Sequence, residues 1–307
     1  MTECERLIKD GFLPKEFFKE ETRNDFLVDN KRKKIWAIEL DMLMKLLDVC
    51  RKHNIKIFLG GGSLLGAIRH GGFIPWDDDI DVCMLRDDYE KLTKELCHEF
   101  QEPYFLQTPY TDDGYYFSFA KLRNSRTSDI SDAFLYENFN QGLCIDIFPV
   151  DNCIVDDVEQ RYNLAKELIT DNSAYMRKSL KNPSVSDMEK IKKHSGRDPL
   201  EVYEQIDANA KKYYEKNTPY VCCMVCTIFS WKNGLYNKNV FDKAINWNFE
   251  GFDVPVPIGY EEILSTHYGD WRQLPPIEKR GTWHNSETMD PDISYTELSK
   301  ILRKEDK

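Results

Sequence analysis

A chain of 307 residues can bury a sizeable core, either in one large domain or in two lobes. Its formal net charge of −11 argues against nonspecific binding to nucleic acid and against docking on an anionic membrane, because both need a basic surface. The longest apolar run, Tyr220 to Trp231, is too short and too polar to be a transmembrane segment, and nine scattered cysteines with no apolar leader indicate a cytoplasmic protein in a reducing compartment.

The first part of the chain leads towards a glycine-rich turn. Residues 1–30 are polar with scattered aromatic side chains, and we expect them to dock on the core as an N-terminal arm. From Lys31 to His53 apolar residues recur at helical spacing, which predicts a long helix. The segment from Ile55 to Leu59 follows as a short buried strand. The predicted helix and strand therefore bring the chain directly to the glycines that begin at position 60.

The turn at residues 60–63 connects this strand to a second, short helix. A strand, a glycine turn and a helix N-terminus present free amide groups to an anion, so the pattern predicts that Gly61, Gly62 and Ser63 hold phosphate. Ser63 is also a good N-cap residue for the helix. Near the end of the helix, Arg69 is a candidate phosphate ligand, and an exposed helix-terminal cation is an equally compatible interpretation.

Aspartates alternate with aliphatic residues shortly after that helix. Asp79 and Asp81 are two positions apart, which is the period of a strand, so both carboxylates face one side. Two carboxylates so close repel each other unless a cation lies between them, and hard oxygen ligands favour Mg²⁺ or Mn²⁺. A solvated strand edge is the alternative. Asp77 and Asp78, which follow a Pro-Trp pair, are interpreted as turn and cap residues.

A third carboxylate, Asp146, lies between two isoleucines in the segment GLCIDIFPV and faces one side of an apolar strand. Such an aspartate is unfavourable unless it is paired or bound to metal, so we predict that it completes a metal site with Asp79 and Asp81. A buried aspartate bonded to the backbone is the alternative. Lys121 lies on another predicted strand, and we expect its ammonium to neutralise phosphate charge. Arg123 shares that face, where a solvated role is equally compatible.

The remaining elements alternate between helices and strands. An amphipathic helix is predicted from Arg86 to Phe100, and strands are predicted from Tyr104 to Gln107 and from Tyr115 to Arg123. Residues 156–217 are mostly helical in pattern and are interpreted as an insert on the acceptor side. Alternation from Ala244 to Val256 predicts a hairpin that turns at a Glu-Gly pair.

Three cysteines, Cys222, Cys223 and Cys226, are spaced like half of a metal site. No second pair with zinc spacing follows them in the sequence, and their neighbours are apolar. We therefore interpret them as core cysteines. A last helix is predicted between Pro257 and Gly269, where the glycine ends it.

One long string, LLGAIRHGGFIPWDDDID from Leu64 to Asp81, resembles the LicD family of the nucleotidyltransferase superfamily, which includes bacterial phosphocholine transferases and, more distantly, fukutin-related protein. The segments KLRN, IDIFPVD and VPIGYEEILSTHYGDWRQLPP are also similar to that family. The resemblance implies an enzyme that moves a phospho-alcohol group from a CDP-linked donor to a glycan hydroxyl and releases CMP. It also implies that Asp79 and Asp81 bind the catalytic metal and that Asp146 is the third carboxylate.

We therefore expect an α+β protein with a nucleotidyltransferase-like mixed sheet, flanking helices and a helical insert. The expected divisions are the arm at 1–30, the catalytic core at 31–155, the insert at 156–235, and a C-terminal hairpin and helix at 236–307. CDP-choline is the expected donor, and Mg²⁺ or Mn²⁺ is the expected cofactor. A cell-surface glycan such as lipopolysaccharide or teichoic acid is the expected acceptor.

Two other functions are compatible with the same residues. A nucleotidylyltransferase would use the three carboxylates for attack at the α-phosphorus of a nucleoside triphosphate and would release pyrophosphate. A non-catalytic glycan-binding protein could keep the fold, although the presence of all three carboxylates argues against it. Asp146 could accept the hydroxyl proton or bind metal only. The sequence leaves the donor alcohol, the acceptor and the oligomeric state open.

Overall fold

The structure is a computed structural model that describes residues 1–177, 183–194, 196–226, 231–281 and 289–305. Within those ranges, no helix combines the length and the apolar character needed to cross a membrane. The helices are α1 (Glu3–Lys9), α2 (Asn30–Lys52), α3 (Gly61–His70), α4 (Arg86–Glu95), α5 (Val155–Met176), α6 (Val185–His194), α7 (Pro199–Ala210), α8 (Tyr260–Tyr268) and α9 (Tyr295–Glu305). The strands are β1 (Glu21–Arg23), β2 (Phe26–Val28), β3 (Phe58–Leu59), β4 (Asp81–Leu85), β5 (Tyr104–Gln107), β6 (Ala120–Asn124), β7 (Ser128–Asp129), β8 (Leu143–Cys153), β9 (Tyr220–Cys222), β10 (Leu235–Asn237), β11 (Ala244–Phe249), β12 (Phe252–Pro257) and β13 (Met289–Asp290).

A seven-stranded mixed sheet organises the fold. Its longest strand, β8, pairs in parallel with β4 and antiparallel with both β6 and β9. The sheet continues antiparallel to β3 beyond β4, to β10 beyond β9 and to β5 beyond β6. The predicted α+β class, a mixed sheet flanked by helices, is thereby confirmed. Because β9 and the first residue of β10 come from the stretch assigned to the insert, that stretch also contributes to the sheet.

The long helix predicted before the glycines is confirmed as α2. Asp29 caps it, because its carboxylate accepts a hydrogen bond of 2.8 Å from the N–H of Arg32. Its apolar side chains, among them Ile35, Ile38 and Leu43, are buried in the main core. Each such side chain contributes roughly 1.5–3 kcal/mol on burial. The helix packs on β8 and β6 and thereby anchors two of the strands on which the predicted site depends.

The predicted hairpin is also confirmed. β11 and β12 pair in register and turn at Glu250 and Gly251, whose φ angles are +51° and +91°. The Glu250 carboxylate accepts a hydrogen bond of 3.1 Å from the N–H of Phe73 and forms an ion pair with Arg23. The tip of the hairpin is therefore tied both to the segment after α3 and to the N-terminal arm.

Three predicted elements are shorter than expected. β3 loses its first residues because the N–H of Ile55 donates to the carbonyl of Cys50, at the end of α2, over 2.9 Å. β6 begins five residues late because Tyr115 closes a turn, with its N–H donating to the carbonyl of Asp112 over 3.1 Å. α4 ends at Glu95, and a 3₁₀ turn replaces its last predicted turn.

Candidate functional site

Three neighbouring strands bring three charged side chains into one row. The parallel pairing of β4 with β8 sets Asp81 beside Asp146, and the antiparallel pairing of β6 with β8 sets Lys121 on its other side. The isoleucines that flank Asp146 are fully buried, whereas Asp146 itself is partly exposed. Alternation along each strand therefore assigns the aliphatic side chains to the core and the charged side chains to an open face.

An ion pair lies at the centre of this row. The ammonium nitrogen of Lys121 donates to a carboxylate oxygen of Asp146 over 2.5 Å, and the two side chains are 14% and 22% exposed. Burial lowers the pKa of Lys121, but the negative charge of Asp146, the effect of Cys144 and the hydrogen bond to Asp146 together raise that pKa above its ordinary value. Lys121 is therefore a permanent cation in contact with Asp146.

Backbone hydrogen bonds hold the glycine turn against the start of β4. The N–H of Gly60 donates to the carbonyl of Asp81 over 3.0 Å, and the N–H of Asp81 donates to the hydroxyl oxygen of Ser63 over 2.8 Å. The prediction that Ser63 caps α3 is wrong: the N-cap position is Gly60, and Ser63 lies inside the first turn and is buried. Ser63 instead joins the turn to the aspartate strand.

Two glycines leave room for carboxylates at the first turn of α3. Gly61 has a φ of +47°, and a Cβ there would lie 2.7 Å from a carboxylate oxygen of Asp81. A Cβ on Gly62 would lie 2.8 Å from a carboxylate oxygen of Asp77. Because contacts that short do not occur with real Cβ atoms, only glycine allows both aspartates to approach the turn so closely. The turn and the aspartates therefore form a single site.

Asp77 is a site residue that the sequence interpretation missed. It does lie in a turn, since its N–H donates to the carbonyl of Ile74 over 2.9 Å, but its carboxylate points at Gly62. Exposure alternates here: Asp77, Asp79 and Asp81 are partly exposed, and Asp78 is buried near Arg32, 3.7 Å away. The alternation that identified Asp79 and Asp81 extends back to Asp77, so the same pattern in the sequence could have identified Asp77 as a site residue.

The carboxylates of this site strongly affect one another. Burial, and then the negative charges of Asp79 and Asp146, raise the pKa of Asp81 well above its usual range, although Lys121 acts in the opposite direction. Burial and the charges of Asp81, Asp77 and Asp79 also raise the pKa of Tyr268, at the end of α8. Tyr268 therefore lies near the carboxylates, although no local pattern at the end of its helix indicated this.

The donor set of this site fits a divalent cation. Carboxylate oxygens are the ligands that Mg²⁺ and Mn²⁺ prefer, and the ammonium of Lys121 already occupies a cation position on Asp146. Within the described ranges, no group of three or more histidine, cysteine, aspartate or glutamate side chains is placed so that it could hold a metal ion. Cys222, one of the three cysteines noted above, is fully buried in an apolar cluster with Cys153.

The other predicted phosphate ligands make different contacts. Arg69 donates to the carbonyl oxygens of Trp271 and Gln273 over 2.9 and 3.2 Å, so it ties α3 to the segment after α8. Arg123 is buried and donates to the side chain of Gln107. In this structure neither guanidinium joins the row formed by the strands, and Lys121 is the predicted cation that does.

Comparisons with known proteins identify relatives of this chain. Residues 54–184, which contain the glycine turn and the row of charged side chains, match the family model described as LicD/FKTN/FKRP, nucleotidyltransferase domain. The chain is 31% identical over 256 residues to the lipopolysaccharide cholinephosphotransferase LicD of Haemophilus influenzae, covering 78% of this chain and 90% of the relative. It is 41% identical over 76 residues to the uncharacterized protein RP689 of Rickettsia prowazekii, covering 24% of this chain and 26% of the relative.

A shorter segment of the chain is similar to an animal enzyme. The chain is 44% identical over 43 residues to the human ribitol 5-phosphate transferase FKRP, covering 14% of this chain and 9% of the relative. The fold, the site and the long relative together define an enzyme of the transferase class. The chain belongs to the LicD family, because its identity to the Haemophilus influenzae member extends over most of both proteins.

Proposed function

We propose that this LicD-family enzyme transfers phosphocholine from CDP-choline to a hydroxyl of a cell-surface glycan and releases CMP, in a reaction that depends on Mg²⁺ or Mn²⁺. The observation that carries the proposal is the strand register that sets Lys121, Asp146 and Asp81 side by side at the glycine turn. Support for the transferred group comes from the relative in Haemophilus influenzae, whose name states that it is a lipopolysaccharide cholinephosphotransferase.

Carboxylates from two adjacent strands would hold the metal. Asp81 and Asp146 are neighbours in the parallel pairing of β4 with β8, and Asp79 precedes β4 on the same partly exposed side. When bound, the ion supplies positive charge to the pyrophosphate oxygens of the donor. The close approach of Asp81 to Gly61 holds this carboxylate at the turn where the donor phosphates are proposed to bind.

The glycine turn and Lys121 would act on the phosphates directly. The first backbone amides of α3, at Gly61 and Gly62, have no partner within a helix and can donate to phosphate oxygens. Lys121 remains protonated beside Asp146 and can stabilise the negative charge that develops on the departing CMP phosphate. Most of the acceleration then comes from positioning and charge neutralisation.

The proposed step exchanges one phosphorus–oxygen bond for another. An oxygen of the glycan hydroxyl bonds to the phosphorus of phosphocholine, while the bond from that phosphorus to the CMP phosphate breaks. CMP leaves with the electron pair of the broken bond, and the hydroxyl proton passes to a base. Asp146 is the candidate base, because the ammonium of Lys121 holds its carboxyl group at the site through a hydrogen bond.

The test measures which nucleotide product appears. The purified protein is incubated with Mg²⁺, CDP-choline and a lipopolysaccharide preparation that lacks phosphocholine, and CMP is quantified; a parallel reaction contains CTP and is assayed for pyrophosphate. We expect CMP to form, and we expect Asp81→Asn and Asp146→Asn to slow its release by at least about 10²-fold. Asp253→Asn, an exposed carboxylate on β12, is the matched control and is expected to retain full activity.

Pyrophosphate from CTP, without CMP from CDP-choline, would replace the proposal with nucleotidyl transfer. Retention of activity in either site variant would remove that carboxylate from the mechanism. Removal of divalent metal by a chelator is expected to abolish CMP release, and readdition of Mg²⁺ is expected to restore it.

A further inference from the structure

Two aromatic rings lie beside the row of charged side chains, two residues away from it along the chain. Phe148 lies on β8 two residues after Asp146, and Phe119 lies two residues before Lys121, immediately before β6 begins. Their ring centroids are 4.4 Å apart with an interplanar angle of 38°. Both rings are only partly buried. Phe148 shares a face of β8 with Asp146, because side chains two positions apart on a strand share a face, and Phe119 lies beside the ammonium of Lys121.

These rings already lie close to a cation. The ammonium nitrogen of Lys121 is 5.2 Å from the ring centroid of Phe119 and 5.8 Å from that of Phe117. The rings of Phe117 and Phe119 are 6.0 Å apart, so three rings form one continuous surface with Phe148. The faces of aromatic rings carry partial negative charge and attract cations within about 6 Å. This surface is therefore suited to a second, ligand-borne cation.

Ordinary core packing explains these rings less well. Phe119 and Phe148 do pack against an apolar cluster beneath the helical insert, which includes Leu168 and Ile206. A ring with a purely apolar role would be expected to be fully covered, as Phe139 is. Phe119 and Phe148 instead remain partly exposed beside an ion pair. One side of each ring thus faces the core and the other borders the site.

We propose that Phe119 and Phe148, with Phe117 beside them, receive the quaternary ammonium of the donor's alcohol. The inference rests on the proposed function, because it assumes that the phosphate end of the donor binds at Asp146 and Lys121. Two residues along a strand span about 6.7 Å. That step is of the same order as the separation of the phosphorus and nitrogen atoms of phosphocholine. Ribitol and glycerol phosphates carry no cation and gain nothing from these rings.

The charges along this face would then alternate. Lys121 keeps its contact with Asp146 and faces the donor phosphate, and the phosphate separates it from the ammonium of the choline. A phosphocholine zwitterion is complementary to that order, because its negative end meets Lys121 and its positive end meets the rings. The ring pair is therefore a specificity determinant for the alcohol, and the nucleotide is recognised elsewhere.

The test compares ligands that differ only in the alcohol. Binding of CDP-choline, CDP-glycerol and CDP is measured by calorimetry with Mg²⁺ for the wild type, Phe119→Leu and Phe148→Leu. Phe119→Tyr, which restores the ring, is the rescue variant. Phe105→Leu, a partly buried ring on β5 outside the row, is the matched control. Phosphocholine alone is titrated into the same proteins, so that the rings are tested without the nucleotide, and circular dichroism confirms that each variant is folded.

We expect the wild type to prefer CDP-choline to CDP-glycerol, and each leucine variant to lose about 3- to 30-fold of that preference with unchanged affinity for CDP. Phe119→Tyr and Phe105→Leu are expected to keep the preference. An unchanged preference in both folded leucine variants overturns the inference and leaves the proposed function standing. If CDP fails to bind while phosphocholine binding depends on Phe119 and Phe148, the CDP-linked donor is wrong and the aromatic site stands.

Discussion

The ammonium of Lys121 donates a hydrogen bond to the carboxylate of Asp146 over 2.5 Å, across the antiparallel pair of β6 and β8. This contact gives the carboxylate a cation supplied by the chain itself. A metal ion between Asp81 and Asp146 would share the carboxylate of Asp146 with Lys121. We therefore expect metal binding and the position of Lys121 to be coupled.

Replacement of Lys121 by methionine tests separately its effect on the reaction and its effect on metal binding. We expect Lys121→Met to lower kcat for CMP release by about 10²- to 10³-fold, because the variant removes a charge that stabilises the leaving group. We also expect Mg²⁺ to raise the melting temperature of the variant more than that of the wild type, because Asp146 no longer has its internal cation. Lys212→Met, an exposed lysine on the far helical insert, is the control. Wild-type kcat in Lys121→Met would exclude Lys121 from the chemistry.

Alanine substitutions at two glycines with positive φ angles distinguish the effect of backbone strain from the effect of displacing a site residue. Gly61 and Gly71 have φ angles of +47° and +68°, and alanine at either position is expected to be destabilising by about 1–2 kcal/mol. A Cβ at Gly71 would meet no atom of the described residues within 4 Å, whereas a Cβ at Gly61 would displace Asp81. We expect Gly61→Ala to lose at least about 10²-fold in activity, and Gly71→Ala to lose little. Equal activities in the two variants would contradict the placement of Asp81.

The features that could be predicted from the sequence are those that depend on residues close together in the chain. The alternation at Asp79 and Asp81, the isoleucines around Asp146 and the helical spacing of α2 are local patterns, and each identified the correct element or face. The hairpin turn was predictable because Gly251 is the residue type that a positive φ angle favours, whereas the positive φ angle of Glu250 was not indicated by its residue type.

The features that could not be predicted depend on partners far along the chain. The sequence does not show that Lys121 contacts Asp146, since this depends on the register of two strands. Ser63 looked like a helix cap in the sequence. Its hydroxyl oxygen instead accepts a hydrogen bond from the N–H of Asp81, and this contact forms only because β4 lies against the turn. For Arg69 the sequence was equally compatible with a phosphate ligand and with an exposed helix-terminal cation, and it did not show the carbonyl partners that follow about two hundred residues later. In each case the contact is tertiary and depends on residues distant in the sequence.

A buried ion pair near the end of β8 is expected to contribute strongly to stability. The guanidinium of Arg86 donates to both carboxylate oxygens of Asp151 over 2.7 and 2.9 Å, and the two side chains are 5% and 1% exposed. We expect Asp151→Ala to lower the free energy of unfolding by about 3–5 kcal/mol, because it leaves a buried cation without its main partner. Glu261→Ala, which breaks the exposed pair with Arg272, is expected to change it by about 0–1 kcal/mol. Urea denaturation measures both, and similar losses would refute the role of burial.

His70 should make the stability of the protein depend on pH. Its Nε2 accepts a hydrogen bond of 2.9 Å from Arg69, and its Nδ1 lies 3.1 Å from the side-chain oxygen of Asn24. Burial, and then the positive charge of Arg69, lower the pKa of His70 from 6.5 to about 4. The proton that would charge this ring would have to displace the hydrogen bond from Arg69. The neutral ring therefore ties the end of α3 to the N-terminal arm.

The direction of the effect follows from the two pKa values. Because the folded pKa lies below the unfolded one, the unfolded chain binds the proton first, and stability declines as the pH falls from about 7 towards 4. Between pH 7 and pH 5 we expect the wild type to lose about 1–2 kcal/mol more than His70→Gln does. His98→Gln, whose ring is 71% exposed, is the control and should follow the wild type. Urea denaturation at the two pH values checks this, and parallel losses in the wild type and His70→Gln would show that His70 does not carry the effect.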